Sequence, residues 1–363
     1  MDKKSNRRKI GTYILFAAVT IFVVAVVLSL GDIGEVMNTI MTADFRYILA
    51  AVGALLVYLA LYPLSLCILT RANGEKIGFF KTYSIAMTEH FFNGITPFAT
   101  GGQPFQVYAF KRERVTIASS TSLLLMNFFV FMLVTNAFAA CSLVYFRRFV
   151  TDGAMTAIAI IGFSMNFIVL AFTLLIALNK TARRLVSALV SRLAVWRLTR
   201  RLVAPRVDDI NEYFDNVQSA FRALIKKKGA FFLSLLTKTL AMGAYYCVTF
   251  FILHALYVDV PASELFYIIS GTSFAITMVV FLPTPGSSGG IEFAFRSVFA
   301  SIVAAYAVGG SSIDTIATGG MLIWRVLTYY LAMLISLGFY VFIEIAYQRR
   351  AKRELLSPDG NGN

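Results

Sequence analysis

Several ionisable side chains lie within long apolar stretches of the sequence, where water is not expected to solvate them. They are Glu89, His90, Lys238, Glu292, Arg296 and Arg325. A charge at the centre of a bilayer costs about 2.5–3.5 kcal/mol, so such a side chain should face a partner or a cavity. Arginine and lysine could hold a phosphate there, and the two glutamates could meet an ammonium. The set therefore predicts a polar cavity for a phosphate-bearing head group.

Three of these residues also have a purely structural explanation. Glu292 and Arg296 are four residues apart, share a helix face and could pair with each other. Arg325 follows Trp324 and precedes two tyrosines, so an interfacial arginine whose guanidinium reaches the water also fits. For Glu292 and Arg325 the energetic cost of burial favours a binding role.

Two Pro/Gly motifs interrupt apolar stretches and match each other. The first is Thr96-Pro97-x-x-x-Gly101-Gly102-x-x-Phe105, and the second is Thr284-Pro285-x-x-x-Gly289-Gly290-x-x-Phe293. A break at membrane depth is tolerated only where protein or a water-filled cavity satisfies the backbone. The glycine N–H groups would begin the second leg of each hairpin and could attract an anion. The alternative is that Pro and Gly only kink two ordinary helices.

The candidate substrate-binding residues come from these two breaks and from the intramembrane charges. They are Glu89, Thr96, Pro97, Gly101, Gly102, Gln103, Lys238, Thr284, Pro285, Ser288, Gly289, Gly290, Glu292, Arg296, Arg325 and Tyr329. No catalytic residue, metal or cofactor is predicted, because the sequence has only two histidines, no Cys/His cluster and no phosphate-binding loop of the Walker type.

An enzymatic alternative rests on Gly286-Ser287-Ser288-Gly289-Gly290, which fits the short motif of an intramembrane serine protease. A nucleophilic Ser288 would need a general base. Both histidines, His90 and His254, precede it, whereas the hydrolase order places the histidine later. The motif is short and matches by chance, so we rank this alternative below lipid transport.

The composition predicts an all-α polytopic membrane protein. Hydrophobic residues make up 58% of the 363, and charged residues 14%, against about 25% charged in a soluble domain. Six full spans are expected, in addition to the two broken or re-entrant hairpins; a count of eight spans is the alternative. The full spans are 10–30, 47–69, 115–145, 154–178, 229–257 and 316–347.

Charge bias sets the expected orientation. A basic start precedes residues 10–30, which predicts a retained anchor and a cytoplasmic N-terminus. If residues 79–95 crossed once, the basic cluster Lys111-Arg112-Glu113-Arg114 would lie outside; a hairpin avoids this. The second hairpin would then open outward, which is an inverted-topology repeat. Arg147 and Arg148 fall outside, as one violation of the rule.

We expect a single transmembrane domain over residues 1–348 and a cytoplasmic tail, first basic and then disordered, over 349–363. Residues 180–228 carry 12 basic and 4 acidic side chains. They could form an amphipathic cytoplasmic segment on anionic lipid or a plain basic loop. The net charge of +14 is explained by topology, so no nucleic acid partner is expected. The predicted location is the cell membrane, with both termini cytoplasmic.

Three motifs resemble the lysylphosphatidylglycerol synthase transmembrane region, the flippase-like domain of the multiple peptide resistance factor. Residues 283–292, Pro-Thr-Pro-Gly-Ser-Ser-Gly-Gly-Ile-Glu, are similar to its main signature. Thr96-Pro97 with Gly101-Gly102-Gln103-Pro104 resembles an earlier one, and residues 324–330 resemble the arginine-containing pattern near its end. The likeness covers roughly residues 10–347.

The resemblance implies translocation of a phospholipid, such as an aminoacylated phosphatidylglycerol, or of another lipid-linked head group. Full-length members also charge phosphatidylglycerol with lysine from lysyl-tRNA and so resist cationic peptides. After Tyr347 this sequence has 16 residues, so we expect no transferase domain. The alternative is a membrane component of the lysyltransferase. Anionic lipid is an expected partner, and a separate synthase chain and a homo-oligomer stay open.

Overall fold

The structure, a computed structural model, describes residues 33–150, 153–179, 207–306 and 312–356, with a few isolated residues between 180 and 206. In this part the secondary structure is helical and contains no strand, which confirms the predicted all-α polytopic class. Its helices are α1 (Ile33–Met41), α2 (Phe45–Leu61), α3 (Leu64–Ala72), α4 (Phe79–Gly94), α5 (Gly102–Arg112), α6 (Ile117–Ser142), α7 (Phe146–Phe149), α8 (Gly153–Leu178), α9 (Val207–Lys226), α10 (Lys228–Ala255), α11 (Leu265–Val279), α12 (Gly290–Tyr306), α13 (Ile313–Arg325) and α14 (Ala332–Leu356).

Seven stretches in the described part are long and apolar enough to cross a membrane. Five correspond to predicted full spans, and the other two contain α11 and α12, the legs of the second predicted hairpin. The predicted first span, 10–30, and the tail from residue 357 lie outside the described residues. The N-terminal anchor therefore stays a prediction.

The predicted span 47–69 is not one helix, because Pro63 divides it into α2 and α3. A proline has no N–H to donate to the carbonyl four residues earlier, which is that of Leu59. The Tyr83 hydroxyl, from α4, donates to Leu59 O at 3.0 Å instead. The break is therefore stabilised by the neighbouring helix.

One end of the helical bundle, which we call face A, holds both ends of the first hairpin (α4, the short 3₁₀ turn Pro97–Ala99, and α5). Lys81 near the start of α4 forms an ion pair with Glu113 just after α5, with 2.9 Å between Nζ and Oε2. Arg112 pairs with Glu344 near the end of α14 at 2.8 Å. The first hairpin therefore enters and leaves on the same face, as the charge argument predicted.

The opposite end, face B, holds both ends of the second hairpin (α11, the 3₁₀ turn Pro285–Ser287, and α12). The Asp44 amide before α2 donates to Ala255 O at the end of α10, at 2.8 Å. Tyr306 at the end of α12 interacts with Glu264, which directly precedes α11. The two hairpins therefore open on opposite faces, which is the inverted arrangement predicted from the sequence.

Packing between the two halves is reciprocal. The first leg of each hairpin packs on the long helix that follows the other hairpin: α4 packs on α14, and α11 packs on α6. The helices that precede the hairpins, α2 and α10, pack on each other, and the two 3₁₀ turns also meet. This is the contact pattern of two similar halves related by a pseudo-two-fold axis.

The basic segment is described only in its second part, where α9 covers residues 207–226. For these residues the plain-loop alternative is wrong, because the chain is helical and its apolar side is buried on α6. Val217, Phe221 and Leu224 are buried, and the Tyr213 hydroxyl donates to Thr121 Oγ1 at 2.7 Å. Contact of the segment with lipid stays a prediction.

Candidate functional site

The two breaks share a backbone conformation as well as a sequence motif. Thr96 and Thr284 are extended, with φ/ψ of −115°/145° and −103°/150°. The residues after each proline are left-handed: φ is 55° at Phe98 and 58° at Gly286. The next residue is also left-handed in both breaks. Such residues cost about 1–2 kcal/mol each when they are not glycine, so two matching pairs support a structural repeat.

The breaks lie against each other, and Tyr329 joins them. Its hydroxyl donates to Gly94 O, at the end of the first leg of hairpin 1, at 2.8 Å. Its ring lies against Gly286 in hairpin 2, where an added Cβ would approach a ring carbon to 2.3 Å. Gly286 therefore meets two requirements, a left-handed φ and close contact with an aromatic ring.

Arg325 fixes the second break from α13. Its Nη2 donates to Gly286 O at 2.9 Å and to Ser288 Oγ at 2.8 Å. Its Nε lies 3.0 Å from Glu292 Oε1, and the two side chains are 5% and 15% exposed. The guanidinium also stacks on the Tyr329 ring, 4.1 Å from the centroid. Arg325 is thus buried rather than interfacial, so the alternative of an arginine reaching to water is wrong.

A π-helix follows Arg325 directly and covers Val326–Leu331. Such segments insert an extra residue in a helical turn and occur often at functional sites. The irregular turn carries Tyr329, which contacts both breaks. Sequence reasoning did not predict it, and no proline or glycine marks the position.

The glycine amides are already hydrogen-bonded within their own hairpins. The Gly101 amide donates to Thr96 Oγ1 and the Gly102 amide to Asn93 Oδ1, both at 2.8 Å. The Gly289 amide donates to Glu292 Oε2 at 2.6 Å. These three amides stabilise the breaks, and an anion could use them only after displacing a side chain.

A second polar cluster surrounds Lys238, whose side chain is fully buried in α10. Its Nζ donates to Tyr62 O at 3.1 Å and lies 3.3 Å from the centroid of the Tyr62 ring. The Tyr62 hydroxyl donates to Glu89 Oε1 at 3.5 Å. His90 packs on Tyr58 and Tyr62, and its Nε2 is buried without a hydrogen-bond partner among the described residues.

Aromatic side chains connect the two clusters. The Tyr58 ring lies 5.3 Å from Tyr62 and 4.8 Å from Tyr245 between centroids. Tyr245 in turn lies 6.0 Å from Trp324 and interacts with Thr328 and Arg325. The sequence singled out none of these tyrosines, since tyrosine is a common residue in membrane proteins and only tertiary contacts reveal the connection.

Arg296 lies apart from both clusters. It is half exposed and forms an ion pair with Asp314 at the start of α13, with 3.1 Å between Nε and Oδ1. The pairing of Glu292 with Arg296 that the sequence allowed is therefore wrong, because each has another partner. Pro97 and Gln103 are exposed at the first break, and Pro285 and Gly290 are partly buried at the second.

Within the part of the chain that the structure describes, no hydrogen-bond partner of Ser288 is a base. Its Oγ donates to Pro285 O at 2.9 Å and accepts from Arg325. His254 is bonded through Nδ1 to Phe250 O and packs on Tyr47, while His90 belongs to the Lys238 cluster. An arginine next to the hydroxyl does not remove its proton. The geometry therefore argues against the serine nucleophile.

A cavity of about 370 Å³ lies beside α1 and the π-helix. Its lining is almost entirely apolar and consists of Ile40, Met41, Ala43, Phe45, Ile48, Ile323, Val326 and Leu327. Such a lining lacks the polar groups that a head group needs, so this cavity is not the predicted polar chamber.

These features define a polytopic α-helical membrane protein with two broken hairpins that enter from opposite faces and meet at a buried, arginine-centred polar cluster. The chain belongs to the lysylphosphatidylglycerol synthase TM region family, whose model matches residues 13–336. This confirms the resemblance stated from the motifs. No curated protein matches the chain.

Proposed function

We propose that this protein moves a phospholipid with an anionic phosphate between the two leaflets of the cell membrane. The observation that carries the proposal is the meeting of two oppositely opening hairpins at Arg325. Transporters built from inverted repeats bind substrate near the midplane, between discontinuous helices. The family fits a lipid-related membrane role.

Arg325 is the residue we propose to contact the phosphate. A guanidinium presents a planar set of donors that matches phosphate oxygens. In the described conformation Glu292, Gly286 O and Ser288 occupy those donors. A phosphate would replace the Glu292 carboxylate as the anionic partner, and the released Glu292 would be free to contact a cationic group of the lipid. The acyl chains would stay in the bilayer.

Contacts between the breaks support an alternating mechanism. Tyr329 ties hairpin 1 through Gly94 O, and Arg325 ties hairpin 2 through Gly286 O. Exchange of Glu292 for a phosphate would loosen the second tie while the first remains. Because each hairpin opens on a different face, movement of either one would open the cluster to one leaflet at a time.

The proposed orientation follows the positive-inside rule. Face A carries Lys81, Arg112 and Arg350, together with the basic end of α9. Face B carries Asp44 and Glu264, but also Arg46, Arg147 and Arg148. We therefore place face A and the C-terminal end of α14 in the cytoplasm, with these three arginines as exceptions on the outer face.

A second candidate is the membrane component of a phosphatidylglycerol lysyltransferase that acts in cationic peptide resistance. The family description favours it, because it names the synthase. In that case, the chain would present lipid to a separate catalytic chain. Formation of lysyl-lipid from lysyl-tRNA only when both chains are present would support this role.

The test uses purified protein in liposomes that contain a fluorescent phospholipid and an impermeant quencher outside. A panel should include phosphatidylglycerol, its lysyl derivative and a zwitterionic lipid. Translocation should raise the quenchable fraction above the value in protein-free liposomes. Arg325→Ala and Glu292→Gln should reduce the rate of translocation. Arg296→Ala should not, because Arg296 lies on the same helix as Glu292, α12, but is half exposed and pairs with Asp314. A quenchable fraction unchanged across the whole panel would refute the proposal.

A further inference from the structure

Lys238 is a fully buried lysine in the middle of a predicted membrane span. Of its three N–H donors, one bonds to Tyr62 O, and the ammonium position lies over the Tyr62 ring. Within the described part of the chain, no carboxylate lies within ion-pair distance of Nζ. Charges at this depth are expensive and typically belong to ion pathways or proton relays. Packing alone does not require a lysine there.

A broken helix provides the site that receives the Lys238 amine. Tyr62 lies between α2 and α3, next to Pro63, so its carbonyl is at the C-terminal end of α2. The partial negative charge at a helix C-terminus attracts a cation. In transporters, carbonyls at helix breaks coordinate the coupling ion. Here the carbonyl binds an amine that can carry a proton.

The groups that face Lys238 come from several elements. Tyr62 and Tyr58 come from the end of α2, Glu89 and His90 from α4, and Tyr245 from α10 itself. Glu89 interacts electrostatically with Lys238, and so does His90. The polar contact that α3 and α6 contribute nearby is the hydrogen bond between Ser65 and Asn127, and both of these side chains are uncharged. Arg325 of α13 is connected through Tyr245.

We propose that Lys238 and Glu89 form a proton-coupling site that drives lipid movement. This rests on the proposed function, and it assigns an energy source to the same protein. Lys238 lies on α10, whereas Glu89 lies on hairpin 1, less than two turns before the break. A proton held by the pair therefore links hairpin 1, which carries Glu89, to α10, which carries Lys238 and packs against α2.

The proton transfer forms and breaks only N–H and O–H bonds. In the loaded state the pair carries one proton, either on nitrogen, as an ammonium beside a carboxylate, or on oxygen, as an amine beside a carboxylic acid. Glu89 is only partly buried, and we propose that its exposed side is where the carboxylic acid exchanges its proton with water. Its release leaves an amine and a carboxylate, and the pair becomes negatively charged. No other reactant is needed.

Electrostatics then couples the proton to the lipid. A negatively charged pair repels an anionic phosphate at the connected Arg325 cluster, whereas a neutral pair does not. Proton and phosphate should therefore bind together and cross in the same direction. One proton per lipid corresponds to about a tenfold ratio of lipid between the leaflets for each pH unit of gradient.

The experiment imposes pH gradients of either sign on liposomes that contain the wild-type protein and fluorescent phosphatidylglycerol, with the voltage clamped by potassium and valinomycin. Labelled lipid should accumulate in the leaflet toward which protons flow, and reversal of the gradient should reverse the asymmetry. Lys238→Met should lose the response to the gradient. Lys238→Arg, which keeps a permanent charge, should lose it as well. Lys228→Met, the same change at an exposed position of α10, should keep it.

A second measurement, on the wild-type protein, tests the proposal even if the Lys238 variants fail to fold. Wild-type protein in weakly buffered detergent should take up about one proton for each short-chain phosphatidylglycerol bound, as a one-to-one site requires. Glu89→Gln, which removes the exchanging carboxylate, should take up none. Translocation by the wild type that ignores the gradient would overturn the coupling proposal and leave the proposed function intact. Absence of any translocation would instead refute the proposed function itself.

Discussion

The buried ion pair between Arg325 and Glu292 allows a quantitative prediction about stability. The two side chains are 5% and 15% exposed, and Nε lies 3.0 Å from Oε1. Replacing Arg325 by methionine leaves the Glu292 carboxylate without its cation in a poorly solvated site. Loss of one partner of a buried pair costs about 3–5 kcal/mol. We expect the free energy of unfolding of Arg325→Met to fall by that amount.

The chain offers a matched control. Arg296 also forms an ion pair with a carboxylate, Asp314, but these side chains are 48% and 68% exposed. Solvent screening reduces such pairs to about 0–1 kcal/mol. Arg296→Met should therefore change the free energy of unfolding by less than about 1 kcal/mol. Residue type and substitution are the same in the two variants, so the contrast reports the burial of Arg325 together with its hydrogen bonds to Gly286 O and Ser288 and its stacking on Tyr329.

The assay is reversible unfolding of the purified protein in mixed micelles, as the denaturing detergent fraction is increased. The double variant Arg325→Met/Glu292→Met should recover much of the stability lost in Arg325→Met, because no unpaired charge remains. The reasoning is refuted if Arg325→Met costs no more than Arg296→Met. It is also refuted if the double variant is as unstable as the sum of the two single variants.

Three further predictions concern the breaks and the topology. Gly286→Ala should sharply lower stability or translocation, because the added Cβ would meet the Tyr329 ring at 2.3 Å. Gly289 also has a left-handed φ but has open space around it, so Gly289→Ala should cost only about 1–2 kcal/mol of backbone strain. Equal effects of the two substitutions in an unfolding titration would contradict this. Tyr83→Phe should cost about 1–3 kcal/mol in the same titration, since it removes the donor to Leu59 O, and an unchanged midpoint would count against this role. In a background without native cysteines, an impermeant thiol reagent applied to oriented vesicles should label Lys81→Cys and Lys111→Cys, both exposed at the ends of the first hairpin, from one side and Glu264→Cys from the other. Labelling of the first two from opposite sides would disprove the hairpin.

Local patterns in the sequence were sufficient for the helices and their breaks. Apolar length predicted the described spans, because backbone hydrogen bonds within a membrane must be satisfied inside each helix. Thr-Pro and Gly-Gly at equivalent positions predicted two breaks, and the structure gives them the same backbone conformation. Pro63 was an available signal for a third break that sequence reasoning did not use.

Partner choice could not be predicted from the sequence. Glu292 stands four residues from Arg296 but pairs with Arg325, and Arg296 pairs with Asp314. A shared helix face brings two side chains near each other, but it does not decide which group from another helix arrives closer. The glycine amides expected to attract an anion are likewise occupied, by the Thr96 and Glu292 side chains of their own hairpins.

Ser336 illustrates how a distant side chain alters a local structure. Its hydroxyl donates to Met87 O at 2.6 Å and accepts from the Phe91 amide at 2.9 Å. It thereby enters the hydrogen-bond ladder of α4, shortly before the first break. Nothing in the local sequence of α4 indicates this insertion, which depends on how α14 packs.

The sequence by itself determined the membrane class, the two breaks and the faces on which the hairpins open, because these depend on hydropathy, on proline and glycine chemistry and on charge near helix ends. Only the tertiary structure decided that the breaks meet, that Arg325 is clamped between Glu292 and the Gly286 carbonyl, and that Lys238 binds the Tyr62 carbonyl. Those contacts join residues 33 to 235 positions apart, and their geometry is set by the packing of whole helices.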